Sequence, residues 1–286
     1  MAELFKGAPV SAALSERIRA DVQALGARGV MPRLAIVRAG ASPDDLAYEH
    51  GASKRAAALG VETETVALPL DVTQARLLDE LVRLNAAPEV HGILLLRPLP
   101  AQLDEAAACN AILPDKDVDG VTNASLAAVF TGAPHGFAPC TAAACIALLD
   151  HYGVELAGKR AVVVGRSLVV GRPLAMLLLH RNATVTLCHT RTRDLAAVCR
   201  EADILVAAAG REGVVGAAHV SAGQVVLDVG IHVREDGTLC GDVVFDEVEP
   251  VVAAVTPVPG GVGSVTTAVL LRHVVQAARR LNGLDA

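Results

Sequence analysis

The feature that most constrains the fold is a set of short apolar runs in which apolar and polar residues do not alternate. Residues 161–164 read Ala-Val-Val-Val, and residues 204–206 read Ile-Leu-Val. A strand with one face in solvent would alternate, so these runs are typical of parallel strands covered by helices on both faces. In the second half of the chain we predict four strands, at residues 160–164, 184–188, 204–208 and 225–229.

The first half predicts alternating helices and strands. Apolar residues recur at helical spacing from Val10 to Leu25, and a turn then leads to a helix that Asp44 or Asp45 can cap and that ends at Gly60. The other predicted elements are strands at residues 33–37, around 66 and at 92–96, and helices at residues 73–84, after 104, at 141–152 and at 268–278. The βαβαβ order predicts a mainly parallel sheet.

Composition favours large cores and a small-molecule partner. The 286 residues suit two domains, and 52% of them are hydrophobic while 20% are charged. The net charge is −6, and the aromatic residues are two Tyr and four Phe without any Trp. Nucleic-acid binding needs a basic face with stacking aromatics, so we expect no nucleic-acid partner.

The cysteines and the chain start favour a cytoplasmic protein. The six cysteines are scattered without a C-x-x-C pair, so we expect buried reduced thiols and no metal site. No stretch reaches the roughly 18 apolar residues of a membrane span, so we expect no membrane partner. Residues 1–6 lack the pattern of a secretion signal.

A glycine-containing loop predicts a dinucleotide site. The apolar run that ends at Val164 leads directly into Gly165, Arg166 and Ser167, and Gly171 and Pro173 then open an apolar helix. A glycine at the strand end permits a sharp turn, and one at the helix start lets a pyrophosphate approach the helix N–H groups. The spacing departs from G-x-G-x-x-G, so an ordinary strand–helix turn stays open as the alternative.

The end of the next strand favours NADP over NAD. An NAD site usually has an acid there that holds the ribose hydroxyls. This strand instead ends in Cys188-His189-Thr190-Arg191-Thr192, and the hydroxyl of Thr190 and the guanidinium of Arg191 suit a ribose 2′-phosphate. For His189 we expect a structural role.

Taken together, the motifs of the chain resemble the methylenetetrahydrofolate dehydrogenase/methenyltetrahydrofolate cyclohydrolase family over nearly the whole length. The segments that carry the resemblance are 92–94, Arg97-Pro98-Leu99-Pro100, Lys116-Asp117-Val118-Asp119-Gly120, Pro139-Cys140-Thr141, 165–173, 188–192, 228–231, 241–243 and Thr256-Pro257-Val258-Pro259-Gly260-Gly261-Val262-Gly263. Their order and spacing together are far more specific than any one of them.

The resemblance implies a two-domain α/β fold and a homodimer. It implies a βαβ-type catalytic domain over residues 1–140, a Rossmann-like NADP-binding domain over 141–266, and a terminal helix in 267–286 that packs back on the first domain. A folate cleft would lie between the domains. The implied cofactor is NADP and the implied substrates are tetrahydrofolate derivatives.

The resemblance also implies site residues. Asp119 matches the aspartate that binds the pterin, whose amino group and ring N–H one carboxylate can accept, and Tyr48 matches an active-site tyrosine. A turn-capping role for Asp119 and a core contact for Tyr48 stay open. The implied loop residues are Pro257, Gly260 and Gly261 for substrate, and Gly165, Arg166, Ser167, Gly171, Thr190, Arg191 and Ile231 for the cofactor.

The chain departs from the family at two positions. The family has a catalytic lysine four residues after the tyrosine and a glutamine at a nearby strand end, and here those positions hold Ala52 and Leu96. Lys54 is a poor substitute, because six residues along a helix lie about 120° from Tyr48 and four residues lie about 40° from it.

The lost lysine belongs chiefly to the cyclohydrolase step, so we expect hydrolysis to be weakened more than hydride transfer. His50 and Arg97 are candidates for compensation, with surface roles as the alternative. Two other functions stay open: a non-catalytic folate- and nucleotide-binding protein, and a dehydrogenase for a different small carbonyl or amine.

Overall fold

The computed structural model describes residues 1–284, and the last two residues of the predicted terminal segment, 285–286, lie outside the described part. The chain divides into two compact units. We call residues 13–140 and 267–284 the three-stranded unit, and residues 1–12 and 141–266 the six-stranded unit, after their main sheets.

The strands are β1 (Glu3–Leu4), β2 (Arg33–Ala39), β3 (Glu62–Leu68), β4 (Gly92–Leu95), β5 (Arg160–Val164), β6 (Thr184–Cys188), β7 (Ile204–Ala207), β8 (Val225–Asp228), β9 (His232–Val233), β10 (Leu239–Cys240) and β11 (Ala254–Val255). The helices are α1 (Gly7–Gly26), α2 (Pro43–Leu59), α3 (Gln74–Ala86), α4 (Glu105–Asn110), α5 (Asn123–Thr131), α6 (Cys140–His151), α7 (Gly171–His180), α8 (Leu195–Arg200), α9 (Phe245–Val248) and α10 (Thr266–Leu281). None of the described helices is both long enough and apolar enough to cross a membrane.

The three-stranded unit contains the predicted βαβαβ series. Its strands lie in the order β3-β2-β4, and both pairings are parallel. Strand β4 is buried along its whole length, and its core neighbours include Leu77, Leu81 and Leu84 of α3, each fully buried. Because those three leucines recur at helical spacing, one face of α3 covers the sheet. The parallel pairings of β2 with β3 and with β4 confirm the prediction of a mainly parallel sheet.

The start of α2 differs from the sequence-based expectation. The residue that caps it is Ser42, whose Oγ accepts a hydrogen bond from the Asp45 backbone N–H at 3.1 Å. Pro43 occupies the first turn, where a missing N–H costs nothing. Asp44 and Asp45 therefore lie inside the first helical turn, where their charge is favourable to the helix dipole. Gly60 ends the helix at φ 79°, as expected.

The six-stranded unit is built on a parallel sheet in the order β1-β11-β8-β7-β5-β6. The first twelve residues belong to this unit, which corrects the predicted domain boundary. The cause is β1, in which Glu3 and Leu4 pair in parallel with Ala254 and Val255. A two-residue strand at the sheet edge has too little pattern to be found in the sequence.

The order of this sheet defines where a ligand site belongs. The chain moves from β5 to β6 on one side and then returns to β7 on the other side of β5. In open parallel sheets the crevice at the carboxyl ends of such a pair of strands is the usual place for a nucleotide. At this point of the fold, Gly165 follows β5 and Ala208 follows β7.

Candidate active site

The loop after β5 brings backbone segments unusually close together. Gly165 has φ 127°, a conformation that favours glycine. A Cβ atom on Gly165 would collide with the Ala208 carbonyl, and one on Gly171 would collide with the Gly165 carbonyl. Both glycines are thus required by close packing at the switch point between β5 and β7. These positions were predicted as cofactor-binding from the sequence.

The start of α7 is open to a ligand. Val170 occupies the N-cap and has no side-chain oxygen, so the first N–H groups of the helix are not capped by a side chain. The Ser167 hydroxyl accepts from the Val170 N–H at 3.1 Å, which fixes the loop. Arg166 and Ser167 are exposed. This bare turn before a ten-residue helix fits a pyrophosphate group.

The turn after β6 presents the two residues predicted to select the cofactor. Thr190 and Arg191 are both exposed. The Arg191 backbone N–H donates to Nδ1 of His189 at 3.1 Å, and the His189 N–H donates to the Thr192 hydroxyl at 2.9 Å. His189 therefore shapes the turn, in agreement with the structural role expected for it.

A cavity of about 210 Å³ in the six-stranded unit gathers the remaining loop residues. It is lined by Ile231 and by residues 257–264, which include Pro257, Gly260 and Gly261. Ile231 is 59% exposed, so it presents an apolar surface to a ligand. The structure thus brings the predicted cofactor residue Ile231 together with the three predicted substrate residues of the glycine loop.

Two buried carboxylates that the sequence analysis did not single out hold the neighbouring loops. Asp242 is fully buried and accepts hydrogen bonds from the backbone N–H groups of residues 209–211 and from His232 Nε2 at 2.8 Å. Asp228 accepts from the N–H groups of Gly230, Asp242 and Val243. Burial raises the pKa of Asp228 to about 6. An aspartate at a strand end with glycine two residues later is the signal that points to such a role.

In the three-stranded unit, Lys116 and Asp117 of the segment 116–120 both bind backbone groups. The buried Lys116 ammonium donates to the carbonyls of Leu84, Asn85 and Ala87, which ends α3. Asp117, fully buried, accepts from the backbone N–H groups of Val121 and Thr122 before α5. Both are therefore occupied by the fold.

Asp119 is the remaining acid of that segment, and its side chain is 24% exposed. Burial raises its pKa to about 6, against the opposing effect of the Arg97 guanidinium. The Arg97 Nη2 atom lies 3.7 Å from the Asp119 carboxylate. A carboxylate that is partly buried, ionised above about pH 6 and open on one side can accept two parallel N–H groups from a ligand.

Tyr48 lies close enough to Asp119 for their charges to interact. Its pKa is raised, first by burial of the phenol and then by the charges of Asp119 and Cys140. Tyr48 as a whole residue is nevertheless 42% exposed. The structure therefore brings together the two residues predicted as catalytic.

Two buried side chains, Cys140 and His273, contact the backbone next to Asp119. The Cys140 thiol donates to the Val118 carbonyl at 3.3 Å, and it also hydrogen bonds with the Asp119 carboxyl group. Nδ1 of His273 lies 2.9 Å from the same Val118 carbonyl. Burial lowers the pKa of His273 to about 3, so the imidazole is neutral and Nδ1 donates. Cys140 and His273 therefore fix the backbone next to Asp119.

The two departures from the family pattern are apolar in the structure as well. Ala52 is 2% exposed and Leu96 is 8% exposed, so neither position offers a polar group. Lys54 and His50 are exposed on α2. On a regular helix His50 lies about 160° and Lys54 about 120° from Tyr48. Of the two candidates for compensation, Arg97 is the one that contacts Asp119.

One unit has a parallel sheet with an uncapped strand–helix turn at its switch point, and the other α/β unit has a partly exposed carboxylate. Together these features define a class of two-domain α/β enzymes that use a dinucleotide. The profile of the tetrahydrofolate dehydrogenase/cyclohydrolase catalytic domain matches residues 5–119, and that of the NAD(P)-binding domain matches residues 139–282. The chain belongs to the tetrahydrofolate dehydrogenase/cyclohydrolase family.

Known relatives match along their whole length. The bifunctional protein FolD of Carboxydothermus hydrogenoformans is 51% identical over 286 residues, covering 99% of this chain and 100% of the relative. The structure of the bifunctional enzyme FolD from Campylobacter jejuni has a TM-score of 0.95 and 36% identity, and the match covers 98% of this chain and 99% of that one. The Trypanosoma brucei methylenetetrahydrofolate dehydrogenase-cyclohydrolase, complexed with NADP and inhibitor, has a TM-score of 0.91 and 37% identity, with 98% of both chains covered.

Proposed function

We propose that this chain oxidises methylene-tetrahydrofolate to methenyl-tetrahydrofolate with NADP, and that it hydrolyses the methenyl product to formyl-tetrahydrofolate more slowly. The observation that carries the proposal is Asp119. Its carboxylate is partly exposed, and burial and the charge of this carboxylate both raise the pKa of Tyr48. The neighbouring Asp117, in contrast, is fully buried and bonded to backbone N–H groups. The family and the names of the relatives support the same reaction.

Asp119 would bind the pterin ring. The pterin has an amino group and a ring N–H side by side, and a carboxylate accepts both. With a pKa of about 6, Asp119 is mostly ionised at neutral pH. The ring of Tyr48, half-exposed next to this carboxylate, would pack against the folate and fix its orientation.

The six-stranded unit would bind NADP. The bare turn at Gly165 and Gly171 and the uncapped start of α7 suit the pyrophosphate, while Thr190 and Arg191 suit the 2′-phosphate. When bound, the nicotinamide ring of NADP accepts a hydride. Ile231 and the loop with Pro257, Gly260 and Gly261 would contact the ligands at the same edge of the unit.

Oxidation of the methylene carbon needs little acid–base chemistry from the protein. The carbon loses a hydride, and the lone pairs of the two folate nitrogens next to it stabilise the resulting cation. The protein contributes mainly by aligning the two ligands, which can supply a large part of the rate. Asp119 and Tyr48 remain available for this positioning.

Hydrolysis of the methenyl product makes a different demand. Water must lose a proton as it attacks the carbon, and a folate nitrogen must gain one as the ring opens. Groups placed for such transfers contribute about 10²–10⁴-fold. Ala52 and Leu96 have no proton to transfer and are buried, so we infer that hydrolysis is the weaker activity.

We further infer a cytoplasmic homodimer. The six cysteines are all free and buried, which suits a reducing compartment. The dimer follows from the family resemblance, and sedimentation of the purified protein would test it. Two copies per particle would support the inference, and a monomer at micromolar concentration would contradict it.

A single cuvette assay tests the proposed function. Purified protein is mixed with methylene-tetrahydrofolate and NADP, and absorbance of reduced cofactor and of the methenyl product is followed together. We expect both to rise in equal amounts at first. A protein that binds both ligands in calorimetry and forms neither product would instead be a non-catalytic folate- and nucleotide-binding protein.

A further inference from the structure

The guanidinium of Arg97 lies between two carboxylates in the three-stranded unit. Its Nη2 atom is 3.7 Å from Asp119, and its Nη1 atom is 3.6 Å from Glu105. The Arg97 side chain is 23% exposed, so this cation is mostly sheltered from water. A charge pair in such a place is screened less than one on an open surface.

Glu105 is itself fixed in position. It begins α4, and its Oε2 atom accepts a hydrogen bond from the Leu99 backbone N–H at 3.0 Å. Its other oxygen faces Arg97. One carboxylate therefore ties the turn after β4 to the start of α4 and holds the guanidinium above Asp119 at the same time.

The charged and titratable groups around Asp119 act in opposite directions. Burial and the charge of Asp117 favour the neutral carboxyl, whereas Arg97 and the hydrogen bond from Cys140 favour the carboxylate. Burial and the charge of Asp119 raise the pKa of Tyr48, so its phenol remains neutral. Among these groups, Arg97 is the cation.

We propose that Arg97 is a positioning residue of the folate site, which keeps Asp119 ionised and oriented for the pterin, and that Glu105 holds Arg97 in place. The inference rests on the proposed function, since it assigns a role to the same carboxylate.

The test is the pH dependence of tetrahydrofolate binding, measured by calorimetry between about pH 5 and about pH 8. This range brackets the raised pKa of Asp119. The variants are Arg97→Gln, Arg97→Lys and Glu105→Gln, with Asp119→Asn as the reference that shows the ligand's own titration. For the native protein we expect binding to weaken as pH falls through about 6.

Arg97→Gln should move this midpoint upward by about one pH unit or more, because an opposite charge at this range shifts a carboxyl pKa by about 1–3. Arg97→Lys should restore most of the native midpoint. Glu105→Gln keeps an oxygen for the Leu99 N–H and removes an anion. Because Arg97 is then held less firmly beside Asp119, this variant should move the midpoint upward by less than Arg97→Gln does.

The decisive result is an upward shift of the midpoint in both variants, with the larger shift in Arg97→Gln. A native midpoint in Arg97→Gln, or a midpoint at or below the native one in Glu105→Gln, would overturn the inference while leaving the proposed function intact. A native protein that does not bind tetrahydrofolate at any pH would overturn both.

Discussion

The carbonyl oxygen of Ala208 occupies the space that a Cβ atom on Gly165 would need. This contact joins the ends of β5 and β7, at the switch point of the six-stranded sheet. It leaves no room for any other residue at Gly165, whose φ of 127° already favours glycine. The contact therefore sets the shape of the turn that we assign to the NADP pyrophosphate.

Gly165→Ala should abolish or strongly weaken NADP binding. The new methyl group must push the segment at Ala208 away, which distorts both walls of the turn. Gly158→Ala is the matched control in the same unit, because Gly158 also has a positive φ of 75° but has nothing near its Cβ position. The control should cost only the backbone strain, about 1–2 kcal/mol of unfolding free energy. Calorimetric titration with NADP and thermal unfolding measure the two effects, and equal NADP affinity in the two variants would contradict the assignment.

Arg191→Asp should lower kcat/KM for NADP by about 10- to 100-fold, because a hydrogen bond to a charged group is worth about 1.5–3 kcal/mol. The value for NAD should fall much less or rise, since an acid can accept from the ribose hydroxyls. Arg193→Asp makes the same charge change two residues away on an exposed side chain and serves as control. Equal kcat/KM values for NADP and NAD in the native protein would refute the predicted preference.

Asp119→Asn should reduce folate affinity at least about tenfold at neutral pH, because an unpaired donor of the ligand costs about 1–3 kcal/mol. The native protein should also bind folate more weakly as pH falls through about 6, since protonation removes an acceptor. In Asp119→Asn the difference between low and neutral pH should disappear. Calorimetry at several pH values checks this, and unchanged affinity would show that Asp119 does not bind the pterin.

The raised pKa of Asp119 makes the stability of the ligand-free protein change with pH in the opposite direction to folate binding. Burial moves the Asp119 pKa from an ordinary 3.8 to about 6, so the folded state keeps a proton that the unfolded chain loses between these values. The contribution of Asp119 to the free energy of unfolding therefore falls as pH rises through this window. A native protein whose stability difference from Asp119→Asn does not change between about pH 4 and about pH 6 would contradict the shift.

The two activities should separate during turnover, with the dehydrogenase the faster. Ala52 and Leu96 replace the polar pair expected at the bridging carbon, so methenyl-tetrahydrofolate should accumulate before it is hydrolysed. Absorbance of the methenyl species during the reaction, and hydrolysis of added methenyl-tetrahydrofolate against buffer alone, measure this. Hydrolysis as fast as the oxidation would refute the separation, and Arg97→Ala and His50→Ala would then identify which residue replaces the lysine.

Local patterns in the sequence were sufficient for most elements. The bounds of β5 and β6 agree with the predicted strands at residues 160–164 and 184–188, because both segments are rich in residues with high strand propensity, chiefly Val and Thr. The glycines at 165 and 171 were also identified from their place between a strand and a helix. In each case the pattern that identified the position lies within a few residues of it, although the contact that requires glycine at 165 is made with the distant Ala208.

Tertiary structure decided which polar side chains remain available to a ligand. From the sequence, Asp117 and Asp119 are two similar acids, and only the packing of α5 assigns Asp117 to backbone N–H groups and leaves Asp119 open. Tertiary structure also decided that β1 pairs with β11, some 250 residues later in the chain. It likewise decided that Glu105 forms an ion pair with Arg97. Hydrogen-bond partners and burial depend on which distant segments the hydrophobic core brings together, and a local pattern does not contain that information.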